Sequence, residues 1–179
     1  MREILFRGFT PDKNGRGKVY INGEWIKGQW VKGSYMSIDK TTYCFKEDYD
    51  KHPDNTEHYI IFDQMTDWGL PNRHLQADVL PETVGQYTGL KDCNGKEIYE
   101  GDIVRAEHNI TKTWGEGSVE DGTLVVREEI VDSFSVEGDV CFEDGSFMVE
   151  GYYTGIFMPL EIEIIGNIHD NPELLKGAR

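Results

Sequence analysis

The stretch between residues 46 and 58 has the highest density of side chains that could ligate a metal ion. Its carboxylates alternate as in a calcium-binding loop, and two histidines join them; the residues are Asp48, Asp50, His52, Asp54, Glu57 and His58. An EF-hand loop needs glycine at its sixth position and glutamate at its twelfth, where this chain has Pro53 and Tyr59. The histidines are six residues apart, not the four of a helical zinc pair. The pattern therefore predicts a solvated surface loop without a metal.

A second set of carboxylates has the chemistry of metal-assisted hydrolysis. Two or three of these four carboxylates would have to converge in one cleft to hold a divalent ion: Asp92, Glu100, Asp102 and Asp139. The motifs GxSxG, HExxH, GxGxxG and the P-loop do not occur in the sequence. Cys93 is a candidate exposed thiol, but a nucleophile needs a neighbouring base and the sequence indicates none. We predict no catalytic residue and no cofactor, and a metal-dependent hydrolase or nuclease stays as an alternative.

Residues 84–104, VGQYTGLKDCNGKEIYEGDIV, have the clearest strand-and-turn pattern in the chain. Apolar residues recur at even spacing, and Asn94-Gly95 and Glu100-Gly101 mark two turns between three strands. Polar side chains of this stretch form a candidate binding surface: Gln86, Thr88, Lys91, Lys96, Glu100 and Asp102. The competing interpretation is that the Asp and Asn side chains serve only to form the turns.

The charge of the chain limits the partners it can bind. The 179 residues include 33 acidic and 18 basic side chains, which gives a formal charge of -15. Phosphates of nucleic acids and anionic membranes would repel such a surface, so neither is an expected direct partner. Three widely spaced cysteines without a CxxC pair favour reduced thiols, and no apolar run is long enough to span a membrane. We therefore expect a cytoplasmic protein.

The remaining segments are predicted mainly as short strands joined by tight turns. Asn22-Gly23 and Asp144-Gly145 each mark a two-residue hairpin turn, and residues 160–164 alternate between apolar and acidic side chains. Glycine makes up 20 of the residues, and aromatic side chains make up 12% of the chain, enough for a core. Residues 107–122 have few apolar side chains and are predicted as a long loop or a protruding hairpin.

Two short helices complete the predicted elements. Residues 72–80 fit a helix because Asn72 could cap its start and because Leu75 and Val79 are four residues apart. Pro172 begins a single helical turn near the end of the chain. The predicted fold class is mainly β with minor α, built from small antiparallel sheets or a partly open barrel. The predicted regions are 1–80 and 81–179, the second with a variable insertion near 107–137.

Three segments together resemble one known family. They are residues 2–8, REILFRG; residues 81–104, from PETVGQYTGLKD to GDIV; and residues 165–175, IGNIHDNPELL. In this order they resemble the YopX family of phage and prophage proteins. The resemblance implies a small, β-rich cytoplasmic protein without an established activity. Separately, the sequence Glu-Gly-Asp-Ile-Val after a turn resembles the start of a strand in SH3-like barrels. This resemblance predicts an SH3-like detail in the C-terminal half of the chain.

The combined patterns favour a binding protein over an enzyme. The first hypothesis is a non-enzymatic, phage-encoded module that binds a host or phage protein. The second is the metal-dependent hydrolase or nuclease. The third is an acidic mimic of DNA that inhibits a host defence protein, for which the net charge is the argument. Self-association is also expected, because a strand-rich chain has sheet edges that can pair.

Overall fold

The computed structural model describes residues 4–11, 19–21, 24–26, 28–52, 55–65, 68–118, 123–149, 152–155 and 161–177. This part of the chain is mainly β, as predicted, with one short α-helix. The elements are β1 Phe6–Phe9, β2 Val19–Ile21, β3 Glu24–Ile26, β4 Trp30–Asp39, α1 Lys46–Asp50, β5 Thr56–Met65, β6 Pro71–Asp78, β7 Gly85–Lys91, β8 Glu97–Tyr99, β9 Asp102–Ser118, β10 Thr123–Glu143, β11 Ser146–Val149, β12 Tyr152–Gly155 and β13 Glu161–Asn167. Short 3-10 helices occupy Pro81–Thr83 and Pro172–Gly177.

The chain forms two compact units, Met1–Gly89 and Leu90–Arg179, and the boundary between them falls within β7. The prediction of regions 1–80 and 81–179 places this boundary earlier in the chain. Both large sheets are antiparallel, as predicted, and neither closes into a barrel. The SH3-like detail stays a prediction.

The first unit contains an antiparallel sheet with the strand order β6-β5-β4-β1-β7. Its buried core consists of Val31, Ile60, Ala77 and Val79. Gly33 on β4 allows the closest backbone approach of this sheet, because a Cβ atom there would lie 2.1 Å from the carbonyl oxygen of Ile61. The separate β2–β3 pair confirms the predicted strands, whereas Asn22-Gly23 lies outside the described residues.

The helix predicted over residues 72–80 is wrong, because Pro71–Asp78 is strand β6. Leu75, Ala77 and Val79 face the core at a spacing of two, and β6 pairs along β5. His74 adopts a left-handed φ of 57° where the β5–β6 register shifts. Its backbone N–H donates to the carboxylate of Asp63 at 2.9 Å, which helps to hold this conformation. Leu75 and Val79 are four residues apart, a spacing that places two side chains on one face of a helix and also on one face of a strand. The spacing alone therefore could not distinguish the two structures.

The surface loop predicted over residues 46–57 is partly wrong. Lys46–Asp50 forms α1, and Thr56 already belongs to β5. The helix has no buried residue, so it is not part of a core. The side chains of α1 remain at the surface, as expected for a solvated segment. On either side of the helix, the rings of Tyr43 and His52 stack with 5.0 Å between their centroids.

The second unit contains a sheet with the strand order β12-β11-β10-β9-β13. Its core joins side chains from four of these strands and β8: Ile98, Val104, Ala106, Val136, Val140, Phe147, Val149 and Ile162. The predicted Asp144-Gly145 hairpin is confirmed, with φ of 49° and 81° at the two residues. Strands β9 and β10 form a long hairpin, which confirms the hairpin alternative for residues 107–118 and excludes a loop there.

Candidate functional site

The turn between β7 and β8 is built around the carboxylate of Asp92. Its Oδ1 atom accepts the backbone N–H groups of Asn94 at 2.9 Å and Lys96 at 2.8 Å. Its Oδ2 atom accepts the N–H of Ile164 on β13 at 3.4 Å, and the N–H of Cys93 donates to the carbonyl oxygen of Ile162 at 2.8 Å. The turn therefore covers the open edge of β13, as natural proteins often do with edge strands.

The hydrogen bonds of Asp92 change its acidity. Burial would raise the pKa of this carboxyl, but the N–H groups of Lys96, Ile164 and Asn94 outweigh burial and hold the pKa below the ordinary value of 3.8. A carboxylate with a lowered folded-state pKa stabilises the fold above its unfolded-state pKa. That stabilisation is lost as the pH falls through the folded-state pKa.

Replacing Asp92 with asparagine is expected to lower the free energy of unfolding by about 1–2 kcal/mol at pH 7, because an amide accepts fewer N–H bonds than a carboxylate. The difference from the wild-type protein should shrink as the pH is lowered below about 4. Urea unfolding of both proteins between pH 7 and pH 3 measures it. A difference that does not change with pH would contradict the assigned role of the carboxylate.

The second turn of the central stretch is held by a buried carboxylate, Asp102, whose residue is 1% exposed. The backbone N–H of Tyr99 donates to its Oδ2 atom at 2.9 Å, and the side-chain amide of Asn167 donates to Oδ1 at 3.4 Å. Gly101 has a φ of 77°, and its carbonyl oxygen accepts the N–H of Ile168 at 2.9 Å. Hydrogen bonds thus join the central segment, residues 81–104, to the final segment, residues 165–175. This contact gives a structural reason for the two segments to occur together in one sequence pattern.

The structure places the residues of the predicted binding surface at different depths. Thr88 and Asp102 are each 1% exposed, so neither can contact a partner in this structure. Gln86 and Glu100 are half-buried, whereas Lys91 and Lys96 are exposed. Only the two lysines are therefore freely accessible, and whether they bind anything stays a prediction.

The hydrolase alternative gains no support from the carboxylate positions. Asp92 and Asp102 are each engaged in the turns described above. Within the described residues, no three His, Cys, Asp or Glu side chains are grouped so that they could hold a metal ion. Desolvation, and then the carboxylates of Asp92, Glu163 and Glu161, raise the pKa of the Cys93 thiol, which makes it a weaker nucleophile at neutral pH.

The outer part of the β9–β10 hairpin is called the arm, and it consists of residues 107–114 of β9 and 127–135 of β10. The sequence analysis allowed a protruding hairpin here but missed its exposed apolar face. Cross-strand register places Ala106 opposite Val136, His108 opposite Phe134, and Ile110 opposite Asp132. Because side chains on one face recur every two residues, these pairs share the face that carries the buried Val104. We call this face of β9 and β10 the core face.

The core face continues along the arm after the core itself has ended. Ala106 and Val136 are buried, but Ile110 is 46% exposed and Phe134 is 43% exposed. The His108 and Phe134 rings stack at 5.1 Å with an interplanar angle of 11°. No element of the described chain buries these side chains fully. The alternation of Val104, Ala106, His108 and Ile110 was the sequence signal that could have revealed this extension.

The opposite face of β9, β10 and β13 is charged. Arg105 donates to Glu137 at 2.8 Å and to Glu163 at 3.4 Å, while Glu107 lies opposite Glu161. All five side chains are exposed, so the face has four carboxylates for one guanidinium. The ion pairs, being exposed, contribute little to stability. The four carboxylates define what we call the acidic face.

The first unit has a separate exposed apolar patch. Trp68 is 90% exposed and lies between β5 and β6, with the exposed Met65 and Leu70 beside it in the sequence. This patch offers a comparison surface for the arm, because it belongs to the other unit and has a similar chemical character.

The sequence matches the YopX protein family over residues 6–176, and the chain therefore belongs to that family. Among solved structures, it is similar to protein EF1440 from Enterococcus faecalis. The two share 19% sequence identity over 97% of this chain and 98% of that one, with a TM-score of 0.39. No curated protein matches the chain significantly. Among the described residues, no helix has both the length and the apolar character that crossing a membrane requires.

Proposed function

We propose that this YopX-family protein is a non-enzymatic binding module that acts in a phage or prophage programme, in the bacterial cytoplasm, by binding a host or phage protein. The single observation that carries the proposal is the arm, on which the core face extends beyond the core and leaves Ile110 and Phe134 exposed. Apolar side chains of this size rarely stay uncovered together unless they meet a partner.

The chemistry around the arm favours a protein partner. Transfer of apolar surface from water contributes about 25 cal/mol per Å², so covering Ile110 and Phe134 would favour association. Aromatic side chains at the centre of an interface often carry much of the binding energy. Exposed Glu128, Glu129 and Asp132 on β10 would repel nucleic-acid phosphates instead.

Affinity capture with face-specific variants tests this function. A double variant, Ile110→Ser with Phe134→Ser, should capture at least tenfold less of the partner enriched by the wild-type bait from host cells. Trp68→Ser is the control, because it removes an even more exposed apolar side chain from the other unit, and it should retain the partner. Unchanged thermal unfolding of both variants shows that the fold is intact. Equal capture by all three baits would overturn the proposal.

A second candidate function is the acidic mimic of DNA, and the acidic face is the observation in its favour. Side chains two apart on a strand, such as Glu161 and Glu163, lie about 6.6–6.8 Å apart, so the face presents carboxylates in regular rows. The same capture experiment separates the two candidates. A partner held by the acidic face is released by double-stranded DNA and lost on Glu161→Gln with Glu163→Gln, but it is retained by the arm variant.

A further inference from the structure

We propose that Asn94 is a latent site of self-modification, at which the Asp92 carboxylate holds the turn in a form that prevents Gly95 from attacking the Asn94 amide. This inference does not depend on what the arm binds. Asn94 and Gly95 are both exposed, so water can reach the amide. The chain contains three Asn-Gly pairs, of which the third lies within the described residues: Asn14-Gly15, Asn22-Gly23 and Asn94-Gly95.

The modification needs no enzyme, oxidant or cofactor. The backbone nitrogen of Gly95 attacks the side-chain amide carbon of Asn94 and closes a cyclic imide. The new bond joins the Gly95 nitrogen to Cγ of Asn94, the bond from Cγ to Nδ2 breaks, and Nδ2 leaves as ammonia with the proton from Gly95. Water then opens the ring at either carbonyl and yields aspartate or isoaspartate. Glycine favours the attack because it has no side chain to shield its nitrogen.

The backbone geometry of the turn opposes this attack. The N–H of Gly95 donates to the carbonyl oxygen of Asp92 at 2.9 Å, which keeps its proton engaged. Neither Cys93 nor Asn94, the central residues of the turn, has a positive φ. A turn closed in this way is of type I, in which the ψ of Asn94 is about 0°. At that angle the Gly95 nitrogen points away from Cβ of Asn94, whereas ring closure requires the two to be eclipsed.

The side chain of Asp92, which is 7% exposed, holds the turn in this conformation. Its Oδ1 atom accepts the N–H groups of Asn94 and Lys96, which lie on either side of Gly95. The side-chain amide of Asn94 also donates to this carboxylate. Its Oδ2 atom accepts the N–H of Ile164, so the turn is anchored on β13 as well. One carboxylate therefore restrains the main chain around the reacting nitrogen and the amide that it would attack.

Modification of Asn94 would in turn break this restraint. Either product places a new carboxylate at position 94 beside that of Asp92, and the two like charges repel each other. Isoaspartate also adds one carbon to the main chain, which displaces the N–H of Gly95 from the carbonyl of Asp92. The turn would then leave the edge of β13, and because ammonia has been lost the change is irreversible.

Peptide mapping by mass spectrometry of the full chain, incubated at mildly alkaline pH, tests this protection. Conversion of Asn94 should be at least tenfold slower in the folded wild-type protein than in the same protein unfolded in guanidinium. Asp92→Ala removes every side-chain acceptor and should accelerate conversion in the folded protein at least fivefold. Asp92→Asn keeps one acceptor oxygen and should accelerate it less. Asn14 and Asn22 are the internal controls, at which the Asp92 variants should leave conversion unchanged.

Asp102→Asn is the matched control for a general loss of stability. It weakens the neighbouring turn of the same unit but leaves the hydrogen bonds of Asp92 in place, so conversion of Asn94 should stay at the wild-type rate. Circular dichroism shows whether each variant is folded. If Asp92→Ala does not fold, the Asp92→Asn protein decides the question.

Equal rates in the folded and the unfolded wild-type chain would overturn the proposal, because the turn would then give no protection. A folded Asp92 variant that converts Asn94 no faster than the wild type would exclude the carboxylate as the restraint. Equal acceleration by the Asp92 variants and by Asp102→Asn would also contradict it, since the rate would then follow general unfolding.

Discussion

Replacing Gly33 with alanine should destabilise the first unit by about 3 kcal/mol or more, a large part of the stability of a typical domain. The added Cβ would lie 2.1 Å from the carbonyl oxygen and 2.8 Å from the carbonyl carbon of Ile61. These are backbone atoms of the neighbouring strand β5, so relief requires movement of paired strands and not of a flexible side chain. Urea unfolding followed by circular dichroism measures the loss.

Gly69→Ala is the matched control for Gly33. It makes the same chemical change at a site where an added Cβ meets nothing within 4 Å, so only its positive φ of 71° opposes alanine. The expected cost there is about 1–2 kcal/mol. Comparable losses at the two sites would show that the close approach of β4 to β5 does not decide the effect at Gly33.

Replacing Asp102 with alanine should destabilise the second unit by about 2–3 kcal/mol, since the change leaves the buried N–H of Tyr99 without its charged acceptor. It also removes the acceptor of the Asn167 amide, so one of the hydrogen bonds between the central turn and the end of β13 is lost. Asp102→Asn should cost less, because an amide oxygen can still accept one of the two bonds. Equilibrium unfolding of the purified variants measures both.

Lys96→Ala is the control for Asp102, because it changes a charged but exposed residue of the same central stretch. Its effect on unfolding should stay within about 0.5 kcal/mol. If Asp102→Ala were as mild as Lys96→Ala, the buried carboxylate would not hold the turn.

Local patterns were sufficient to predict the class of fold and the turns. Gly95 in the first turn and both Asp144 and Gly145 in the second have left-handed backbone, which few other residue types accept, and both turns were placed correctly. The helix prediction at Leu75 and Val79 failed because a spacing of four fits either structure. This segment forms a strand because it pairs with β5, and no local sequence pattern encodes that contact.

Thr88 and Asp102 were predicted as part of a binding surface but are buried, and the sequence did not indicate this burial for a related reason. Both residues are polar, and a polar residue in a turn-rich stretch is expected at the surface. Burial of Asp102 depends on Asn167, which is 65 residues away in sequence. The arm was overlooked because Ile110 and Phe134 are far apart in the chain, and only the register of β9 and β10 places them on one face.

The central claim is that the arm contacts a protein partner through its core face. A photo-reactive amino acid in place of Phe134, activated in host cells, measures this contact directly by covalent capture. We predict an adduct with another protein from this position and none from the same amino acid in place of Trp68. An adduct from the Trp68 position alone, with the arm position unreacted, would contradict the claim.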